Sequence, residues 1–355
     1  MGIHGLFPGE AMINVDGLPA LTHFRPGDRD KPLVVFIPGA GHLGRIAYGT
    51  PDTAPEDFLA HWVEQSGHPF LAVSVPIEHA VFDKTYPAFT NRDWGRLVVG
   101  AARRAVDDHG LSRRMLCVGW SAAGNACWPV AIAARNNDLI VDLFVALSSN
   151  PPMPGISPPY TEILLKARTE TGMADVSGLM PFFRKALSLQ NSIAGHEIMP
   201  ESEYLEAFLG NFPVHTVATP VRYRESEFVL DIAEATDDMG TFQFWDFPPS
   251  GVITHDSATD DQHSMKDGSQ WSVYITQHLY AEYRRRLGSS TVDESAWANA
   301  RDLIRDAPQR LTREVHGGHL CFIGPDGART VAGSLVDLIS ESHNLRAEIR
   351  KILEG

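Results

Sequence analysis

The chain has 355 residues, 43% hydrophobic and 21% charged, a balance that suits a globular protein long enough for a sizeable core. Its formal net charge is -14 and its lysines and arginines are scattered, which excludes a surface built to track nucleic-acid phosphates. No apolar run approaches the length that spans a bilayer.

The N-terminus lacks a basic start followed by an apolar core, so no signal peptide is expected. Leu6 stands where a myristoylation signal needs Ser or Thr. Three cysteines, Cys117, Cys127 and Cys321, make an odd count without metal spacing. Reduced, buried thiols in a cytoplasmic protein are the expectation. Whether copies assemble into a homo-oligomer stays open.

Runs at 11–15 and 18–24 flank Asp16-Gly17, a strong hairpin signal. The run Leu33-Val34-Val35-Phe36-Ile37 is apolar throughout, as expected for a parallel strand buried on both faces. It ends in Pro38-Gly39-Ala40-Gly41-His42. A helix is expected near 55–66, another buried strand over 70–75, and a helix over 92–108. A short strand from 115 runs directly into Gly119-Trp120-Ser121-Ala122-Ala123-Gly124, and a helix follows to about 135. One more strand is expected over 141–147.

Beyond Ser148 the texture changes. Apolar residues recur at helical spacing in 164–167, 180–189 and 203–209, with no clear alternating strand. Residues 151–245 therefore read as an inserted helical cap. Phe182, Phe183, Phe208 and Phe212 read as core rather than pocket lining. The sheet resumes near 251–254, followed by an acidic stretch from His255 and Asp256 through Asp260 and Asp261 to His263. Helices are expected over 269–286 and 294–306. A last strand, 311–315, leads into His316-Gly317-Gly318-His319, and a closing helix spans about 330–353. This alternation predicts an α/β fold with a mostly parallel central sheet flanked by helices, formed by 1–150 and 246–355.

Strand, tight turn with one serine at its apex, then helix is the geometry of a nucleophile elbow. The turn brings strand and helix close, so the positions two before and two after the serine must be small. Gly119 and Ala123 meet that demand. Alone, the hexapeptide fits an ordinary capped turn equally well. Its weight comes from its context.

Four stretches occur in one order: Pro38 to His42, Gly119 to Gly124, the acidic loop 256–261, and Gly317-Gly318-His319. Through them the chain resembles the α/β-hydrolase superfamily, whose order is oxyanion loop, nucleophile, acid, histidine. The resemblance covers nearly the whole chain and implies a catalytic triad. Ser121 would be the nucleophile and His319, the best placed of fifteen histidines, its base. His316, at the strand end, reads as structural. The acid would follow the strand at 251–254; Asp260 is the first choice and Asp256 the alternate. Backbone N–H groups of Ala122 and of Ala40 or Gly41 would form the oxyanion hole, each donor worth about 3 kcal/mol in the transition state.

Gly39-Ala40-Gly41 lacks the glycine spacing of a dinucleotide loop and the lysine of a P-loop. His255, Asp256, Asp260, Asp261 and His263 invite a metal reading, but their spacing matches no zinc pattern. A solvated acidic loop with one catalytic aspartate is the simpler account, so neither metal nor cofactor is expected. The resulting expectation is a cofactor-independent serine hydrolase cleaving an ester-type bond of a small, partly apolar substrate. An acyltransferase or a C–C bond hydrolase would use the same triad. A hydrolase fold serving only as a binding module would have no reason to keep all three side chains. Trp120 and Trp128, near the elbow, suggest an apolar or aromatic acyl group or simple packing.

Overall fold

Asp16 and Gly17 both take positive φ, 52° and 86°, and close a two-residue turn whose twist matches that of its flanking strands. Those strands, β1 (Glu10–Val15) and β2 (Leu18–Arg25), pair antiparallel with Val15 opposite Leu18. The computed structural model describes residues 5–354; residues 1–4, part of the stretch read for a leader, and residue 355 lie outside the described residues.

Strands and helices then alternate: β3 (Leu33–Ile37), α1 (Leu59–Gln65), β4 (Phe70–Ser74) and α2 (Asn91–His109). Next come β5 (Arg114–Ser121), α3 (Cys127–Asn136) and β6 (Ile140–Ser149). A capping box between Thr90 and Asp93 starts α2, satisfying N–H groups that would otherwise lack partners. Every residue of β3 and β4 is buried, which explains their uninterrupted apolar sequences.

Between β6 and the next sheet strand the chain forms α4 (Pro158–Leu165), α5 (Met180–Ala194) and α6 (Glu201–Phe208). A hairpin of β7 (Val221–Arg224) and β8 (Glu227–Leu230) follows, then α7 (Ile232–Met239). This hairpin corrects the all-helical expectation for the segment. Its strands are four residues each and turn through Glu225 and Ser226 at positive φ, so no glycine or proline advertised the turn.

The main sheet resumes with β9 (Ser250–His255), followed by α8 (Asp261–Leu287), α9 (Glu294–Arg310), β10 (Thr312–Val315) and α10 (Pro325–Glu354). Helix α8 starts eight residues earlier than its pattern suggested, since Lys266-Asp267-Gly268 masks its first turns. The eight strands run in the order β1-β2-β4-β3-β5-β6-β9-β10. From β4 to β10 all neighbours are parallel. The carboxyl ends of β3, β5, β6, β9 and β10 therefore open on one rim, where ligand-handling groups collect in such sheets.

The three cysteines are buried and unpaired. Among the described residues no helix is long and apolar enough to cross a membrane.

Candidate active site

The end of β5 sets the geometry. Ser121 has φ 57° and ψ -117°, a conformation costly for a residue with a side chain. It lifts the hydroxyl off the sheet rim. The turn is tight enough that a Cβ at Gly119 would lie 2.5 Å from the Phe144 ring. The chain leaves the serine through a 3-10 turn, Ala122–Ala126, before α3 begins. As the first residue of that turn, Ala122 has an N–H without an intrahelical partner.

The end of β3 supplies the facing loop. A Cβ on Gly39 would come within 2.7 Å of the Ser121 Cβ, so only glycine lets the loop approach the serine. Ala40 and Ala122 both line the cavity beside Ser121. Gly41 does not; its carbonyl accepts the Gly210 N–H at 3.0 Å, and its φ is 73°. A second bond, Leu43 N–H to the Phe208 carbonyl at 2.8 Å, ties the loop to the end of α6. His42 is buried beneath it, with Nδ1 3.2 Å from the Ala40 carbonyl and Nε2 2.8 Å from the Tyr204 hydroxyl. Burial pulls His42 down to about 3 and keeps the ring neutral, so Nδ1–H donates to Ala40 and Nε2 accepts from Tyr204.

His319 reaches this rim from the loop after β10. Its Nε2 lies 3.0 Å from Ser121 Oγ, and its Nδ1 lies 2.8 Å from Asp260 Oδ2. Trp120 holds the loop by donating its indole N–H to the His319 carbonyl at 2.9 Å. The Phe182 ring meets the imidazole edge-on, with centroids 5.1 Å apart. Burial lowers the His319 pKa below 6.5, against the upward pull of Asp260. The imidazole is therefore neutral at pH 7, with Nδ1 donating to the carboxylate and Nε2 free to accept the serine proton.

Asp260 and Asp256 separate cleanly. Asp256 pairs with the exposed His316, 2.9 Å from its Nδ1, and accepts the Gly317 N–H at 3.1 Å. Asp260 is buried and faces the other way. It occupies the N-cap position of α8, yet its side chain caps no helix N–H. Its carboxylate is turned instead to His319 and to His255 Nε2, 3.1 Å away. His255 Nδ1 accepts the Ser257 N–H, which leaves Nε2 to donate to Asp260. Burial opposes ionisation of Asp260, but His319, His263 and these hydrogen bonds hold its carboxyl well below the usual range.

His263, one turn further on, also enters the site. Its ring lies 5.1 Å from that of His319, and its Nδ1 sits 3.0 Å from both carboxylate oxygens of buried Asp267. Burial pushes its pKa down, but Asp267 and Asp260 outweigh this and raise it to about 9. Atoms of Asp260, His263 and His319 converge within 4.8 Å. That set differs from the five residues the sequence suggested for a metal, and each member is already engaged, with Ser121, His255 or Asp267. His255 and the His263–Asp267 pair were not marked as parts of a triad. The four-residue spacing of His263 and Asp267, which stacks them on one helix face, was the available signal.

The cavity above Ser121 measures about 640 Å³, counting its open mouth. Its lining is mixed: Leu164, Leu179, Phe182, Phe183, Phe212 and Val217 are apolar, and Asn150, Ser157, Tyr160, Gln262 and His263 carry polar groups. Of the four phenylalanines read as core, Phe183, Phe208 and Phe212 are buried in it, but Phe182, Phe183 and Phe212 also line the cavity. Both tryptophans pack. Trp120 is fully buried behind His319, and Trp128 lies against Gly240 and the Arg92 guanidinium.

No family model matches the chain, and no curated protein matches it by sequence. Solved structures do. A soluble variant of monoglyceride lipase from Saccharomyces cerevisiae aligns with 96% of this chain and 97% of its own, at 12% identity and a TM-score of 0.51. An esterase from Thermogutta terrifontis covers 94% of this chain and 99% of its own at 11% identity and TM-score 0.48. Epoxide hydrolase VrEH1 from Vigna radiata covers 93% and 97% at 13% identity, also with TM-score 0.48. The chain has the α/β-hydrolase fold.

Proposed function

We propose that this α/β-hydrolase-fold protein is a serine hydrolase that cleaves an ester-type bond of a small, partly apolar substrate, with Ser121, His319 and Asp260 as its triad. The single observation that carries the reading is the chain of contacts Ser121 Oγ to His319 Nε2 at 3.0 Å and His319 Nδ1 to Asp260 Oδ2 at 2.8 Å. A serine hydroxyl attacks a carbonyl only when a base takes its proton, and this imidazole is neutral and oriented to do so.

In this reading His319 removes the hydroxyl proton as Ser121 Oγ bonds to the carbonyl carbon. The carbonyl oxygen becomes an oxyanion that the backbone N–H groups of Ala122 and Ala40, both at the cavity, stabilise in this reading. The intermediate collapses, the C–O bond to the alcohol breaks, and His319 returns the proton to the departing oxygen. Water then repeats the sequence on the acyl-enzyme. Asp260 stays ionised, orienting the ring and stabilising the imidazolium without taking its proton. Residues 151–245 serve as a cap that contributes most of the apolar lining and excludes water from the reacting carbonyl. Supporting this role, α4, α5 and the loops at 212 and 217–219 all reach the cavity.

A fluorophosphonate probe and a series of p-nitrophenyl esters of rising acyl length test the proposal. Wild type should be labelled once and should hydrolyse short or medium chains. Ser121→Ala should lose both properties while keeping its thermal stability. Equal turnover by that variant would refute the assignment.

A further inference from the structure

Two imidazoles in this cavity are built alike, and the mechanism uses only one. His319 gives Nδ1 to Asp260 and Nε2 to Ser121. His263 gives Nδ1 to Asp267 and lines the same cavity, yet its Nε2 has no hydrogen-bond partner among the described residues. Asp267 is wholly buried and His263 only 5% exposed, so neither belongs to a solvated acidic surface. That nitrogen is open to the cavity rather than sealed in the core, so it offers a hydrogen bond to an atom of whatever enters.

Resting on the serine-hydrolase reading, we infer that His263 is a specificity-determining residue whose Nε2–H, oriented by Asp267, binds a carboxylate carried by the substrate. Three features fit this ligand. The bidentate contact from Asp267 makes Nδ1 a donor, and the buried carboxylate favours the doubly protonated ring, as its raised pKa reflects. His263 lies in the first turn of the 27-residue α8, where unpaired N–H groups favour an anion. Ser157 and Asn150 hydrogen-bond Gln262, the chain neighbour of His263, and with Tyr160 they bring polar groups to a cavity that Leu164, Leu179 and Phe182 line with apolar ones. The cavity thus offers apolar surface to a hydrocarbon portion and a polar cluster to an anionic end. The contact of the His263 and His319 rings puts that end within reach of a short chain from the scissile carbonyl.

The carboxylate could sit on the acyl group or on the leaving group, and two pairs of esters distinguish them. The first pair is p-nitrophenyl hydrogen succinate against p-nitrophenyl pentanoate. The second is the pentanoate ester of 3-hydroxybenzoate against that of 3-cresol. In one of the two pairs, wild type should prefer the carboxylate by at least about tenfold in kcat/KM. His263→Leu should bring that ratio close to one, whatever its loss on the neutral ester. Asp267→Asn keeps an acceptor for Nδ1–H but removes the charge favouring the second proton, so it should lower the same ratio. Titrating Ser121→Ala with these esters reads the contact without turnover. Carboxylate-selective binding that needs His263, in a protein that hydrolyses no ester, would sink the hydrolase reading alone. Ester hydrolysis with no carboxylate preference in either pair, or with a preference unchanged in both variants, would overturn the role given to His263.

Discussion

Asp260 Oδ2 lies 2.8 Å from His319 Nδ1 across 59 residues of chain, and it reaches there by leaving the helix cap it is positioned to make. A missing cap of this kind costs about 1 kcal/mol. The loss is accepted at a position where the carboxylate instead meets two imidazoles.

Separate substitutions at the two aspartates should therefore differ sharply. Asp260→Asn should lower kcat by about 10⁴-fold, because the amide no longer imposes the right tautomer on His319. Asp256→Asn should change kcat less than about threefold, since Asp256 meets only the exposed His316 and the Gly317 N–H. Steady-state kinetics on one p-nitrophenyl ester would tell the two apart.

The acid limb of the pH profile should follow His319. Its pKa lies below 6.5 because burial outweighs Asp260, and only the neutral ring can accept the serine proton. The value of kcat/KM on a neutral ester should hold from pH 7 down to the ordinary histidine range and fall only below it. Asp260→Asn removes the negative charge that favours the imidazolium, so its limb should move to lower pH still.

Gly39→Ala tests how closely the loop after β3 must approach the serine. The added methyl would stand 2.7 Å from Ser121 Cβ, and neither backbone can yield without moving Ala40 or Ser121. Activity should fall at least about tenfold. The loss of stability, read by denaturant titration, should stay near the roughly 1–3 kcal/mol typical of overpacking.

Buried neutral histidines should make the fold sensitive to acid. His42 is held at about 3 and His215 at about 4, chiefly by burial, against 6.5 when unfolded. Between those values the unfolded chain binds protons that the folded chain refuses. Their contribution is thus fully present above pH 6.5 and is lost as pH falls, at about 1.4 kcal/mol per unit for each ring. Tm should decline steadily from pH 6.5 to 4. Tyr204→Phe, which leaves His42 Nε2 without its donor, should lower Tm at pH 7 and flatten that decline.

Much of the sheet was legible because its cause is local. Apolar runs such as 33–37 mark strands buried on both faces, and Gly119 and Ala123 satisfy a steric demand that acts within five residues of chain. The α/β architecture and the turn that carries Ser121 follow from such short-range rules, whereas His319, in the loop after β10, was marked by the order of motifs that resembles the α/β-hydrolase superfamily. Sequence alone could not choose between Asp256 and Asp260, four residues apart, because the choice depends on which way a loop turns toward β10. Nor could it find that Phe182, Phe183 and Phe212 face a cavity, that 221–230 is a hairpin, or that His263 stands ring to ring with His319. A cavity wall is where segments distant in the chain fail to touch. An apolar side chain carries the same pattern whether it meets a neighbour or faces that space, so only the tertiary structure decided it.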